Sequence, residues 1–396
     1  MRRPIAIYTS YNIRYPLGGH VLAELHYIVG LQRLGYDVYV VEEAGSWPTP
    51  CFDPEREVMT DDPSAGIAAL RKVLAPFGLA ENWCYIGADG RTWGLSRTRV
   101  GELCRQAAML FSRANVTWIE EFAECPLRVF VDTDPGFTQF RMTPQPSRST
   151  SGYASPWDFH VHFTYGERIG SADCPIPTHG LRWWPTRPPV VPELVPVRWT
   201  PHAADFTTVM SWRSRAPVEY RGETYGQKDV ELRRFMELPR RCGPIFELAI
   251  AGRDVPWEEL RAAGWKVRPA IGVTRTMPDY LRYIGDSRGE WSVAVNLEVK
   301  TRSGWFSDRS AAYLAAGKPV IAQDTGFSEV LPCGRGLWAF RTVEEAVAAV
   351  EAVQQDYAGQ CAAAREVMHE FFHYERVLRA VLERCNLPVM VPASSS

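Results

Sequence analysis

Nowhere in the 396 residues do two cysteines form a CxxC pair, although the sequence holds nine of them: Cys51, Cys84, Cys104, Cys125, Cys174, Cys242, Cys333, Cys361 and Cys385. None has ligand-like spacing to a histidine either, so structural zinc is disfavoured and a reducing, cytoplasmic setting is expected. Long apolar runs are missing as well. After Met1, Arg2 and Arg3 the apolar stretch Pro4 to Tyr8 is too short for a signal h-region. Nothing approaches the roughly 20 residues that span a bilayer, so a transmembrane segment is not expected. A surplus of one charge is also absent: 44 Lys and Arg against 46 Asp and Glu leave a formal charge of -2. That balance supplies no field to hold DNA or RNA, and nucleic acid is not an expected partner.

What is present suits a folded chain, with 46% hydrophobic and 23% charged residues. The length is too great for one ordinary core and comfortable for two. The opening reads as a strand at Ile5 to Tyr8, a glycine loop at Pro16 to Gly19, and a helix from His20 to Leu34 with Gly35 as its stop. A second strand follows at Asp37 to Val41, and a later one at Leu127 to Val131 runs into the turn Asp132-Thr133-Asp134-Pro135-Gly136. Prolines crowd the chain between Pro185 and Pro201, which reads as an interdomain connection.

A fresh series then begins. Strands are expected at Thr207 to Ser211, Phe246 to Ala251, Trp265 to Val267, Ser292 to Leu297 and Pro319 to Ala322. Helices are expected at Lys228 to Leu238, Trp257 to Ala263, Met277 to Ile284 and Asp308 to Ala316, with a long helical tail from Val343 to about Arg384. The expected class is α/β, with two doubly wound, Rossmann-like units. The boundaries read as 1–190, 191–370 and a crossing segment with a tail at 371–396. Ligand sites in such sheets lie outside the carboxyl ends of the strands, so the loops there are the places to search.

The stretch Ala315-Ala316-Gly317-Lys318-Pro319-Val320-Ile321-Ala322 reaches Gly326, Glu329 and Val330, then Gly334-Arg335-Gly336-Leu337. This resembles the donor-binding half of the group 1, family 4-like glycosyltransferases of the GT-B fold, over most of residues 285–382. The resemblance implies a GT-B arrangement, with donor in the C-terminal half, acceptor in the N-terminal half and a helix crossing back. It also implies a nucleotide-sugar co-substrate, a sugar or small-molecule acceptor, and no further cofactor. One departure stands out: the two glutamates that family places eight positions apart are Gly304 and Ala312 here. Asp308 or Glu290 is the carboxylate expected to substitute for them.

Several side chains then become candidates. Thr325-Gly326-Phe327 brings backbone amides near an anion, and the helix opening at Ser307 and Asp308 aims its free amides at the same crevice. Lys300, Arg302, Ser303, Trp305, Phe306 and Arg309 crowd cations, hydroxyls and aromatics beside them, for phosphate and base; Glu329 lies on the same loop. Lys228, Arg253 and Ser211, at or after strand ends, are candidates to hold the leaving phosphate, although a solvated lysine at a helix start is the plain alternative. In the N-terminal half, Gly18 and Gly19, on the loop after the first strand, are further candidates to approach the donor phosphates. His20 is the preferred general base, since inverting GT-B enzymes place a histidine there; Asp134 or Asp132 is its expected orienting carboxylate. His160, His162 and Trp183 are candidates for the acceptor side, or else structural residues. No metal is expected. Two readings follow: a glycosyltransferase, or a GT-B protein of another kind, such as a sugar-nucleotide epimerase or a non-catalytic binder.

Overall fold

The structure, a computed structural model, describes residues 3–389; positions 1–2, and 390–396 of the expected tail, lie outside the described residues. Two sheets organise it. The first uses β1 (Ile5–Thr9) and β2 (Asp37–Glu43); a separate hairpin, β3 (Cys51–Asp53) with β4 (Val58–Thr60), follows. The sheet continues with β5 (Trp83–Ile86), β6 (Thr92–Gly94), β7 (Met109–Arg113), β8 (Arg128–Asp132), β9 (Val161–Thr164) and β10 (Trp183–Pro185). Its order is β10-β9-β8-β7-β1-β2-β5-β6, parallel except at the β5-β6 edge. Every residue of β1 is buried, which is why it reads as an unbroken apolar run: helices cover both faces of a parallel sheet.

The second sheet begins with β11 (Phe206–Ser211), followed by a hairpin of β12 (Val218–Tyr220) and β13 (Glu223–Tyr225). It is completed by β14 (Phe246–Ala251), β15 (Lys266–Pro269), β16 (Gly289–Ser292), β17 (Val320–Gln323) and β18 (Leu337–Phe340). The order is β15-β14-β11-β16-β17-β18, parallel throughout. In each sheet the chain starts in the middle and winds both ways, so the strand order reverses at β1/β7 and at β11/β16. Those reversals open a crevice at the carboxyl ends of the strands.

The chain passes between the sheets twice. Between β10 and β11 only a single 3-10 turn, Pro192–Leu194, interrupts an irregular proline-rich run. The return is made by the last helix, Tyr374–Arg384, whose Leu378, Val381 and Leu382 join the core of the first sheet. Leu378 lies so near Gly30 that a Cβ there would come within 2.5 Å of it.

Three expectations are corrected. The tail is three helices, Val343–Gln355, Tyr357–Phe371 and Tyr374–Arg384. Asp356 caps the second by accepting from the Gly359 N–H at 3.1 Å, and the break at Phe372 and His373 arises because Val190 exchanges backbone hydrogen bonds with Phe372 and Tyr374. Lys228 to Leu238 is not one helix: Lys228–Arg233 and Leu238–Cys242 are separate, with Pro239 lacking the amide a continuing helix needs. The strand expected to reach Leu297 stops at Ser292, and a helix, Asn296–Thr301, follows. The Glu298 carboxylate accepts from the Val295 N–H at 3.2 Å and so fixes its start.

Candidate functional site

A cleft of about 430 Å³ lies between the two sheets. From the first half come Tyr11, Gly19 and His20 after β1, Arg113 at the end of β7, and Thr133 and Asp134 after β8. The second half contributes Ser211 at the end of β11, Gln227 and Lys228, Glu298, Trp305 and the run Ser307, Asp308, Arg309. All stand at or just beyond carboxyl ends of strands or at helix starts. Another cavity, about 400 Å³ and lined by Thr207, Glu247 and Asp279, opens at the opposite, amino ends of β11 and β14.

His20 is held by stacking and charge. The Tyr11 ring lies over its imidazole at 4.1 Å between centroids, and Nε2 is buried without a hydrogen-bond partner, 3.6 Å from Glu24 Oε1. Burial lowers its pKa to about 4; Glu24 pulls upward and Arg113 downward. The ring is therefore neutral at pH 7. The carboxylate beside it is Glu24, not either aspartate. Glu24 is fully buried and accepts from the Tyr8 hydroxyl, from the Ser10 hydroxyl at 2.8 Å and from Arg113. Sequence reading missed it, although its position one helical turn after His20 puts both on one face. Arg113 reaches onward to Asp308 at 2.7 Å, and Asp308 also accepts from the Tyr165 hydroxyl at 3.0 Å, so a chain of charge links the halves.

Asp132 is corrected from base partner to scaffold. It is buried, and Thr138, Gln139 and Thr164 donate to it at 2.7, 2.8 and 3.0 Å. Asp134 lines the cleft but accepts from Arg215 of the other half at 2.7 Å. Gly18 stands behind the cleft, where a Cβ would come 2.2 Å from the Thr276 carbonyl oxygen; Gly19 faces Tyr280. The first histidine of the HxH pair, His160, is exposed just before β9 and accepts from the Arg128 N–H at 3.0 Å. His162 is buried with Nε2 2.7 Å from the Pro156 carbonyl, and its ring lies 5.3 Å from buried Trp183. All three sit on the β9/β10 edge, away from the cleft lining: Trp183 and His162 are buried there, and His160 faces solvent.

In the second half, Lys228 opens its helix half-buried, and its ammonium makes no hydrogen bond or ion pair among the described residues. Burial lowers its pKa to about 7, and Arg309 adds to the fall. Beside it Gln227 Nε2 is buried without a partner. Arg309 is anchored by Glu290 and by the Val209 carbonyl at 2.9 Å, and Ser307 caps the helix Asp308–Ala315. Trp305 lines the cleft and donates from its indole to the Thr133 carbonyl at 3.1 Å, tying the halves together. Glu298, also missed from sequence, is a buried carboxylate in the run Trp291 to Val299, whose other polar residues are Ser292 and Asn296; its pKa is raised to about 8 by burial and by Asp134.

The rest of the expected donor set lies elsewhere. Phe306 and Phe327 are core residues, edge to face at 5.3 Å. Lys300 pairs with Glu223 on the surface, and Arg253 is exposed after β14. Arg302 and Glu329 join Arg168 and Asp173 of the first half in one ion cluster. Arg168 covers Gly304 and Gly326: its N–H donates to the buried Ser303 carbonyl at 3.0 Å, and a Cβ on either glycine would meet its side chain within 3.0 Å. Both glycines have left-handed φ, +80° and +95°, so a side chain there is disfavoured twice over. The glycine loop is thus closed by an arginine.

No protein-family model matches the chain, and no curated protein matches its sequence. Solved structures do. An alpha-glucosyltransferase in complex with UDP and a 13-mer DNA containing a HMU base has a TM-score of 0.58 at 8% identity, covering 98% of this chain and 100% of its own. HepE from Anabaena, in complex with UDP and glucose, has a TM-score of 0.53 at 11% identity, over 97% and 99%. A glycosyltransferase from Rickettsia africae ESF-5 scores 0.50 at 10%, over 97% and 98%. What this chain shares with them is the GT-B fold: two Rossmann-like halves facing a cleft.

Proposed function

We propose that the chain is a glycosyltransferase that moves a sugar from a nucleotide-sugar donor to a hydroxyl of a small-molecule or glycan acceptor. One observation carries this reading: the cleft sets an unpaired lysine in one half against a neutral, carboxylate-backed histidine in the other. In the reaction the acceptor oxygen bonds to the anomeric carbon while the bond from that carbon to the phosphate oxygen breaks, its electrons leaving on the phosphate. The His20 imidazole takes the acceptor proton, and Glu24 offsets the charge the ring acquires. Lys228, Gln227 and Ser211 meet the charge that grows on the diphosphate.

In this reading the donor binds residues 191–370, the acceptor meets 1–190 and the helix within 371–396 ties the two together. Cations and amides neutralise the diphosphate without a metal. The balanced charge of -2 supports a sugar or small molecule, not nucleic acid, as acceptor. Nine free cysteines fit a cytoplasmic setting, and no helix among the described residues is long and apolar enough to cross a membrane. An epimerase or a simple binder needs the donor side alone and leaves the His20-Glu24 pair without a task.

A thermal-shift screen against nucleoside diphosphates and their sugar esters tests the donor half: one nucleotide series should stabilise the protein selectively, and no shift with any sinks the reading. Release of nucleoside diphosphate in the presence of acceptor pools tests transfer. Full turnover by His20→Ala refutes the base assignment even where transfer stands.

A further inference from the structure

Most charged groups in the cleft are matched by the protein itself: Asp134 by Arg215, Asp308 by Arg113 and Tyr165, and Arg309 by Glu290. Two are not. Lys228 has no partner among the described residues. Glu298, 1% exposed, lines the cleft, and among the described residues its carboxylate accepts only from the Val295 N–H, received by Oε2. A buried carboxylate short of donors is costly, and a protein keeps one where a ligand completes it.

The surroundings say what that ligand must offer. Lys228 calls for negative charge. Once ionised, Glu298 calls for hydrogen-bond donors and disfavours an anion beside it, the more so because Asp134 faces it from the first half. The remaining charges facing Glu298 are Lys228 on its helix and Arg215 after β11, both cationic. A phosphate joined to a neutral polyol meets both demands, since the phosphate oxygen on the anomeric carbon sets ring hydroxyls one sugar's width from the charge.

We propose that Glu298 reads hydroxyls on the sugar being transferred, and that this sugar is accordingly a neutral hexose and not a uronate. The proposal rests on the donor reading above and names the substrate class of the same cleft. Glu298 is then a specificity-determining residue that touches substrate. Its carboxyl sits near a pKa of about 8 with Lys228 near about 7, so the two halves of the donor follow pH in opposite senses. The phosphate contact weakens as Lys228 loses its proton, and the sugar contact strengthens as Glu298 ionises and its hydrogen bonds become charge-assisted.

Calorimetric titration of the full chain separates these. The probes are the nucleoside diphosphate giving the largest thermal shift among UDP, ADP, GDP and dTDP, its glucose ester and its glucuronate ester. Above pH 8 the glucose ester should bind roughly tenfold or more tighter than both the free diphosphate and the glucuronate ester. Glu298→Gln should abolish that advantage and its rise through pH 8 while holding the free diphosphate within about threefold. Glu298→Asp, which withdraws the carboxylate by one methylene, should also reduce the advantage and stands in where the glutamine variant does not fold. A glucuronate ester bound as tightly as the glucose ester, or a glucose advantage that survives in Glu298→Gln, overturns the proposal and leaves the donor cleft standing. No binding of any diphosphate overturns both.

Discussion

Two stretches of the second half gather cations beside aromatics, and they end in opposite states. In Lys300 to Arg309, Lys300 is tied to Glu223, Arg302 to Glu329 and Asp173, and Arg309 to Glu290, with Phe306 sunk in the core. In Arg213 to Lys228, Arg213 pairs with Asp229 and Arg215 with Asp134, but Lys228 is left facing the cleft. Density of charge in the sequence therefore says little about a binding site. What marks one is a charge the protein declines to neutralise, and that depends on partners tens or hundreds of residues away.

The contrast can be broken or sharpened by substitution. On the first half it pits His20, whose Nε2 is unpartnered, against His162, whose Nε2 meets a carbonyl: His20→Gln should lower turnover by about 10²- to 10⁴-fold, while His162→Gln leaves kcat in place, as steady-state kinetics will show. Equal losses would erase the distinction. Next, Lys228→Met should weaken nucleoside diphosphate binding roughly tenfold to a hundredfold, the worth of a charged hydrogen bond, measured by calorimetry. Third comes pH. An anion favours the protonated lysine, and a pKa lowered to about 7 means that form is lost above neutrality. Diphosphate affinity should thus be flat below pH 7 and fall by up to about tenfold per unit above it, with the slope gone in Lys228→Met. Smallest of all, Lys300→Met should change affinity by less than about twofold, since its partner is a surface carboxylate; a loss matching that of Lys228→Met would return the binding site to the Lys300 stretch.

Much of the fold was legible because parallel strands buried on both faces write themselves as apolar runs. The bounds Phe246–Ala251 follow from such a run, and β1 extends its run by a single residue, Thr9. The misses have physical causes outside the local pattern. Periodicity continues through Phe372, and only the distant Val190 breaks the helix there; the strand toward Leu297 yields to a cap supplied by Glu298. The site divides in the same way. Gly19, His20, Asp134, Ser211, Lys228, Trp305, Ser307, Asp308 and Arg309 come together because each lies at or near a strand end or helix start. Glu24 and Glu298 escaped notice because a carboxylate in a helix looks solvated until the residues burying it are known. Phe306 and Phe327 show the converse, since a stacking platform and a core aromatic are written with the same letters.

The approach of Gly18 to the Thr276 carbonyl gives one hydrogen atom an outsized mechanical part. A methyl group there would act as a doorstop, leaving the second half intact while holding the loop that carries His20 off its mark. Under the proposed function such a chain would load its donor and stall, so that position 18 is where binding and transfer would part company.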